Sequence, residues 1–305
     1  MTDHDSAYAG LVDADEHDQW AFGTSFDDPL AGVDTTLAEG IDGTDLAAYC
    51  LMLGDDALIA AQRLAQWCAN APELEEEVAL ANVGLDLLGQ ARLLLARAAA
   101  ADDSIVPALP AGSPVPAEDA LAFFRDEAQF RCVRLVELDN GDFANSIVRL
   151  LVFATYRLSI LERLRTSRDP VLAAVAAKGV KEVTYHRDYA ARWVVTLAGG
   201  TEESRRRTQA AFTQIWPYVD ELFRPIAVEQ RLAKAGAATE SDTVRSEFDA
   251  IMTQVLHACD LPEPATPAVA AVAGRAGRDG IHTEAFGHLL AEMQSLARAH
   301  PMGRW

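Results

Sequence analysis

Neither lysine nor arginine occurs in the first 62 residues of this 305-residue chain; the first basic side chain is Arg63. With no basic block and no apolar block behind it, the N-terminus does not read as a secretory leader. Cysteine is scarce: Cys50, Cys68, Cys132 and Cys259 stand apart with no paired spacing. They are expected as buried small hydrophobes in a reduced compartment, which points to the cytoplasm. The formal net charge of -20 leaves no basic face for nucleic acid or for an anionic membrane surface. No apolar run reads as long and uninterrupted enough to span a bilayer.

The acidity is unevenly placed. Residues 1–45 hold twelve acids and no base, leaving 34 acids against 26 bases in the remainder. Residues 1–42 therefore read as an acidic, solvated, disordered tail, and 43–305 as the folded domain.

What the chain has is helix-forming sequence. Half of it is hydrophobic, and alanine, leucine and arginine are prominent among the helix formers. Residues 54–96 read as two long helices around an Asn70-Ala71-Pro72 turn. Leu58, Ile59, Leu64 and Trp67 mark the buried stripe of the first. Leu74, Val78, Val83, Leu87, Leu88, Leu94 and Leu95 mark that of the second. Pro72 suits a first helical turn, and Glu73, Glu75, Glu76 and Glu77 suit the positive end of the dipole. Thr44 or Asp45 reads as the cap of the first helix, which is expected to run to about Ala69 with Gly54 inside it.

A Pro- and Gly-broken crossover follows at 101–116, then a third helix expected from Ala117 through FFRDEAQFRCVRLVEL. Asp142 is set to cap a fourth, strongly apolar helix, and Asp169-Pro170 to start a fifth that ends at Gly199-Gly200. Thr201 opens a sixth, kinked at Pro217. A connector or frayed helix at 225–240, a seventh helix at 241–258, a Gly-rich loop and a last helix complete the chain. The first and second helices, and the fourth and fifth, read as two similar hairpins, a weak long-range duplication. The pattern is all-α: a ferritin-like four-helix bundle core with additional helices.

Ferritin-like bundles of this kind house a di-iron centre when two helices each give a Glu and two others each give Glu-x-x-His. Three-residue spacing puts carboxylate and imidazole on one face, about a turn apart. Of the seven histidines, only His282 has an acid three positions before it, Asp279, and that pair lies in the Gly-rich loop. On the second helix the pair would be Asp86 and Gly89; on the fifth, Glu182 and Tyr185, with His186 one residue late. The first helix offers Asp55 or Asp56, and the middle of the fourth, Val152 to Tyr156, no carboxylate. Two imidazoles and at least one carboxylate are missing, so no catalytic residue is assigned. Asp56, Asp86, Glu182 and His186 are the candidates for a vestigial site. Glu182 and His186 face the same way, either as a buried polar pair bonded to each other or to Asp86 and arginines, or as a residual single-metal site.

Four ordered stretches carry a resemblance: LGDDALIAAQRLAQWCANAPELEEEVALANVGLDLLGQARLLL, RDEAQFRCVRLVELDNGDFANSIVRL, KEVTYHRDYAARWVVTLAGGTEESRRR and GIHTEAFGHLLAEMQSLARAHPMGRW. Together they resemble the C-subunit family of the bacterial phenylacetyl-CoA epoxidase, over roughly residues 45–305. The resemblance implies a ferritin-like subunit without the catalytic di-iron centre, and so without a cofactor of its own. It also implies a related A subunit as partner, which binds the iron and activates O2, in a complex that converts phenylacetyl-CoA to its ring-1,2-epoxide with electrons from NAD(P)H. The acidic N-terminal extension departs from the family. The competing reading from the residues is a self-sufficient ferritin-like oxidase or oxygenase with an altered ligand set. An iron store is disfavoured by the missing ligands, and a transcription regulator by the charge balance.

Overall fold

The computed structural model describes residues 28–303. Its frame is two antiparallel helical hairpins. Helix α1 (Gly43–Ala65) pairs with α2 (Leu74–Ala101), and α5 (Phe143–Leu164) with α6 (Pro170–Gly199). Between the hairpins lie α3 (Ala117–Phe123) and α4 (Arg134–Glu137); α7 (Glu202–Ile215), α8 (Val219–Leu222), α9 (Ala227–Lys234), α10 (Arg245–Ala258) and α11 (Glu284–Ala299) follow. Among the described residues the extended structure is a single isolated bridge, Val272 to Arg275.

Local chemistry sets the helix starts. Asp142, Asp169 and Thr201 have extended backbones, and their side-chain oxygens accept the amides of Asn145, Leu172 and Ser204. The cap of α1 is Asp42, which accepts the Asp45 amide at 2.9 Å, in place of the expected Thr44 or Asp45. Helix α1 also ends earlier than expected, because the chain turns from Gln66 onward and Ala69 takes a left-handed φ of 64°. Pro72 therefore precedes the second helix instead of opening it, and Glu73 is its N-cap. Gly54 inside α1 marks a close approach: a Cβ there would meet Leu95 Cδ2 at 3.1 Å and Leu94 Cβ at 3.3 Å on α2. The kink expected at Pro217 is present as a 3-10 turn, Trp216–Tyr218.

Helix α5 is the central core helix. Contrary to the expectation from the sequence, it and α2 are long and apolar enough to cross a bilayer by length and composition. The apolar window of α5 is, however, wholly buried inside the protein. Residues 28–42, read as part of the acidic tail, pack on the helices: Leu30 and Ile41 are buried, and Arg97 Nη1 donates to the Thr35 carbonyl at 2.9 Å. The rest of that tail, 1–27, and the terminal Trp305 lie outside the described residues. Three cysteines are buried as expected, but Cys68, in the turn after α1, is exposed.

The expected third helix is broken. After Phe123 the chain leaves α-helical geometry, makes one 3-10 turn at Glu127–Gln129, and regains the α-helix only at Arg134. The cause lies on α1, where the adjacent Asp55 and Asp56 are both fully buried. Arg125 grips Asp55 with both terminal nitrogens, and the Arg131 amide donates to it at 2.8 Å. The Val133 amide donates to Asp56 at 2.9 Å, and Arg278 makes a bidentate pair with it at 2.8 and 2.7 Å. Within a helix the amides of 131 and 133 would be spent on the chain's own carbonyls. Two buried carboxylates thus hold this segment open.

A second buried pair ties the hairpins together. Arg97 on α2 reaches Asp169 through Nε at 2.9 Å and Nη2 at 2.7 Å, with both side chains almost free of solvent. Asp169 is also the cap of α6. Replacing Asp169 by Ala is expected to cost about 3–5 kcal/mol, since it strands a buried guanidinium and also removes a cap. Asp169→Asn keeps the cap and is expected to lose less; urea unfolding of the two variants beside the parent checks the order.

Candidate functional site

The interior between the hairpins is where a ferritin-like bundle places its metal ligands. Here α1, α2, α5 and α6 each contribute one polar group to a continuous chain. Arg157 of α5, buried, donates from Nε to Gln90 Oε1 of α2 at 2.9 Å and from Nη1 to the Leu53 carbonyl of α1 at 3.2 Å. Gln90 in turn donates through Nε2 to Glu182 Oε2 of α6 at 2.8 Å. Gly179 permits this approach, because a Cβ there would come within 3.0 Å of Leu161 and 3.3 Å of Gln90.

Of the sequence candidates, Glu182 and His186 share a face of α6 but do not bond to each other. Glu182 goes to Gln90 and, at 3.3 Å, to Lys178. His186 is buried and its Nε2 lies 3.0 Å from Asp86 Oδ2, a carboxylate about one-third exposed at the bundle edge. Burial lowers the His186 pKa below the usual 6.5, against the opposing pull of Asp86 and Glu182. The imidazole is thus neutral in the folded chain at neutral pH and donates Nε2–H to Asp86. Asp56 lies on the other side of the interior, bound to Arg278. Burial opposes the charge on Arg278, but Asp56 and Tyr156 together outweigh it and raise the pKa, so the guanidinium stays charged.

Arg157 is the member that the sequence candidates omit. It interacts electrostatically with Asp56, Glu182 and His186 at once, which puts its charge among three of the four candidates. Burial lowers its pKa to about 10, leaving it protonated at neutral pH. Its Nη2 is buried without a partner among the described residues, and its guanidinium carbon lies 5.7 Å from the centre of the Phe153 ring. A signal for it does exist in the sequence: an Arg in the middle of a strongly apolar helix has to find acceptors across the bundle.

This donor set does not fit a di-iron pair. Asp55 and Asp56 are taken by Arg125 and Arg278, Asp86 by His186, and Glu182 by Gln90 and Lys178. A fixed cation at the centre would also repel any metal ion placed beside it. No step of oxygen chemistry is derived through these residues.

Other charged residues fall into structural roles. Arg206 and Arg207 pair with Glu203 on their own helix, as an exposed charge run does. Arg205 caps carbonyls at Ala198, Cys259 and Asp260. Asp279, three before His282, binds Arg224 and the Ala276 amide and makes no contact with that histidine.

Arg157→Ala is expected to lower the unfolding free energy by about 2–4 kcal/mol, because it leaves the buried Gln90 amide oxygen and Leu53 carbonyl without their donor and opens a cavity; chemical denaturation measures it. His186 has a folded pKa depressed below 6.5. Below that value the unfolded chain takes up a proton that the folded imidazole resists. Its contribution to stability is therefore full above the unfolded value and declines as the pH falls below it. The melting temperature of the parent should fall more steeply over that descent than that of His186→Gln.

Comparison with known proteins agrees with this architecture. Residues 34–305 match the family described as "Phenylacetic acid catabolic protein". The chain is 40% identical over 260 residues to the C subunit of the 1,2-phenylacetyl-CoA epoxidase of Escherichia coli (strain K12), covering 85% of this chain and 99% of that one. An all-helical bundle and a match over most of its length place the chain in the phenylacetic acid catabolic protein family.

Proposed function

We propose that this chain is a non-catalytic, structural subunit of a cytoplasmic phenylacetyl-CoA 1,2-epoxidase, pairing with and supporting a di-iron catalytic A subunit in phenylacetate catabolism. The observation that carries the reading is the guanidinium of Arg157 at the centre of the bundle, bonded to Gln90 and Leu53 where a catalytic relative needs free carboxylates and imidazoles. The relative's name supplies the substrate, phenylacetyl-CoA, at the level of the complex. In this reading the chain holds no cofactor for the reaction; the iron belongs to its partner.

Helix α2 supports the pairing. Leu74, Val78 and Leu88 do not join the buried stripe expected from the sequence: with Leu85 they are 46–72% exposed and follow one another at helical spacing. Leu85 and Leu88 also line an apolar groove of about 260 Å³ between α1 and α2, with Leu58, Ala61 and Gly84 in its walls. Glu76, which binds Tyr189 and the Trp193 indole (2.8 Å) on α6, fixes the orientation of α2 that leaves this stripe outward. An apolar helical stripe of this kind suits the packing of another helical protein.

Co-expression with the A subunit from the same bacterium tests both parts. The two chains should co-purify, and Leu85→Glu with Leu88→Glu should weaken capture at least about tenfold while leaving the melting temperature of the isolated chain unchanged. The isolated chain should hold no stoichiometric iron and show no turnover, and the assembled pair should show both. Two irons per isolated chain, with oxidation of phenylacetyl-CoA by that chain alone, would establish the self-sufficient oxygenase instead.

A further inference from the structure

Away from the bundle centre, three side chains with metal-binding atoms converge where the broken third-helix segment meets the start of α11. Cys132 Sγ, Glu137 Oε1 and His282 Nδ1 all lie within 4.8 Å of one another. The sulfur is 3.7 Å from Glu137 Oε1 and 3.9 Å from His282 Nδ1, and the nitrogen is 2.6 Å from the carboxylate oxygen. The Glu137 and His282 side chains are shut off from solvent, and Cys132 is buried. Each comes from a different piece of chain: the open segment, α4, and the residue before the α11 cap.

The arrangement around the three atoms fixes their roles. His282 Nε2 lies 3.2 Å from the Phe130 carbonyl, which can only accept, so Nε2 carries hydrogen and Nδ1 is the nitrogen free to ligate. A backbone carbonyl on the far nitrogen is the usual support for a metal-bound histidine. Glu137 Oε2 is held by the Thr283 amide at 2.7 Å, which leaves Oε1 facing the cluster. The ring of Phe286, 4.4 Å from the imidazole centre, limits its rotation. The hydroxyl of Thr283, next to His282, is buried without a partner among the described residues.

We propose that Cys132, Glu137 and His282 supply three of the four ligands of a mononuclear zinc site that braces this junction, separate from the bundle interior. One thiolate, one imidazole and one carboxylate suit Zn²⁺, a borderline-soft ion that accepts S, N and O ligands. Tetrahedral zinc with ordinary bond lengths separates S from N or O by about 3.6 Å, and N from O by about 3.3 Å. The two sulfur edges are already near that geometry. The N···O edge is short because one proton bridges Nδ1 and Oε1, and a metal replacing that proton opens it.

The charges balance. Before binding, the site holds a neutral thiol and one proton shared between His282 and Glu137. Zinc displaces both protons, and the buried thiolate and carboxylate then neutralise its two charges. The net charge of the site is zero before and after, so binding buries no uncompensated charge.

The test uses the full chain, stripped with chelator and reloaded with zinc or with Co²⁺ as a visible probe. Expected are one equivalent bound per chain, release of two protons per zinc in calorimetry across buffers, a sulfur-to-cobalt charge-transfer band, and a raised melting temperature. Cys132→Ser should abolish the band and weaken zinc binding at least about a hundredfold, while His186→Gln leaves both unchanged. Zinc X-ray absorption of the parent chain requires no variant and should show one sulfur neighbour. Absence of a sulfur neighbour, failure to bind zinc, or loss of the metal in His186→Gln with retention in Cys132→Ser would each overturn the proposal. None of these outcomes bears on the epoxidase reading, which concerns iron and the centre of the bundle.

Discussion

A charge taken out of water inside a helical bundle has to be met by an opposite charge or by aligned dipoles. Left alone, it costs several kcal/mol. That constraint shapes this protein more than its apolar core does. Asp55 and Asp56 on α1 are satisfied by Arg125, by Arg278 and by two main-chain amides of the 124–133 segment. The pairs specify which connector lies against α1 and why it does not continue as an α-helix. Arg278 also donates to the carbonyls of Met52 and Arg131, so one guanidinium joins three stretches distant in sequence. Arg97 with Asp169 fixes the second hairpin on the first in the same manner. Hydrophobic burial makes the bundle compact; these pairs select one register for it.

Much of the fold is legible in the sequence because helix signals are local. Asp142, Asp169-Pro170, Thr201 and Pro217 each announce a boundary through chemistry within one turn, and each acts where the sequence places it. The third helix defies its local signal because its helical composition is overridden by partners some 70 residues earlier on α1. Pro72 stands ahead of its helix because the turn closes through a left-handed Ala69, which composition does not foretell. Part of the acidic tail is packed chain, since Leu30 and Ile41 are buried yet too sparse to form a pattern. At the candidate site, spacing alone points to Asp86, Glu182 and His186. It does not point to their partners, because spacing says which residues share a face but not what faces them. Gln90 and Arg157 escape a ligand pattern because neither side chain is a ligand.

The arrangement also separates two jobs that a catalytic bundle must combine. An oxygen-activating centre needs carboxylates held in place yet free to bind metal, together with a path for substrate. With Asp55 and Asp56 matched by guanidiniums, those carboxylates hold the bundle together. Helix α5 can then be buried along its whole apolar window. Helix α2 remains less buried, with an apolar stripe on the outside of the molecule.

Arg157 has a consequence for redesign. A metal site cannot be built beside it one substitution at a time. Deleting the arginine first removes a buried cation whose field reaches both Asp56 and Glu182, and adding ligands first places them against a resident positive charge. The guanidinium therefore works as a ratchet: only several changes made together carry the interior from one balanced arrangement to another.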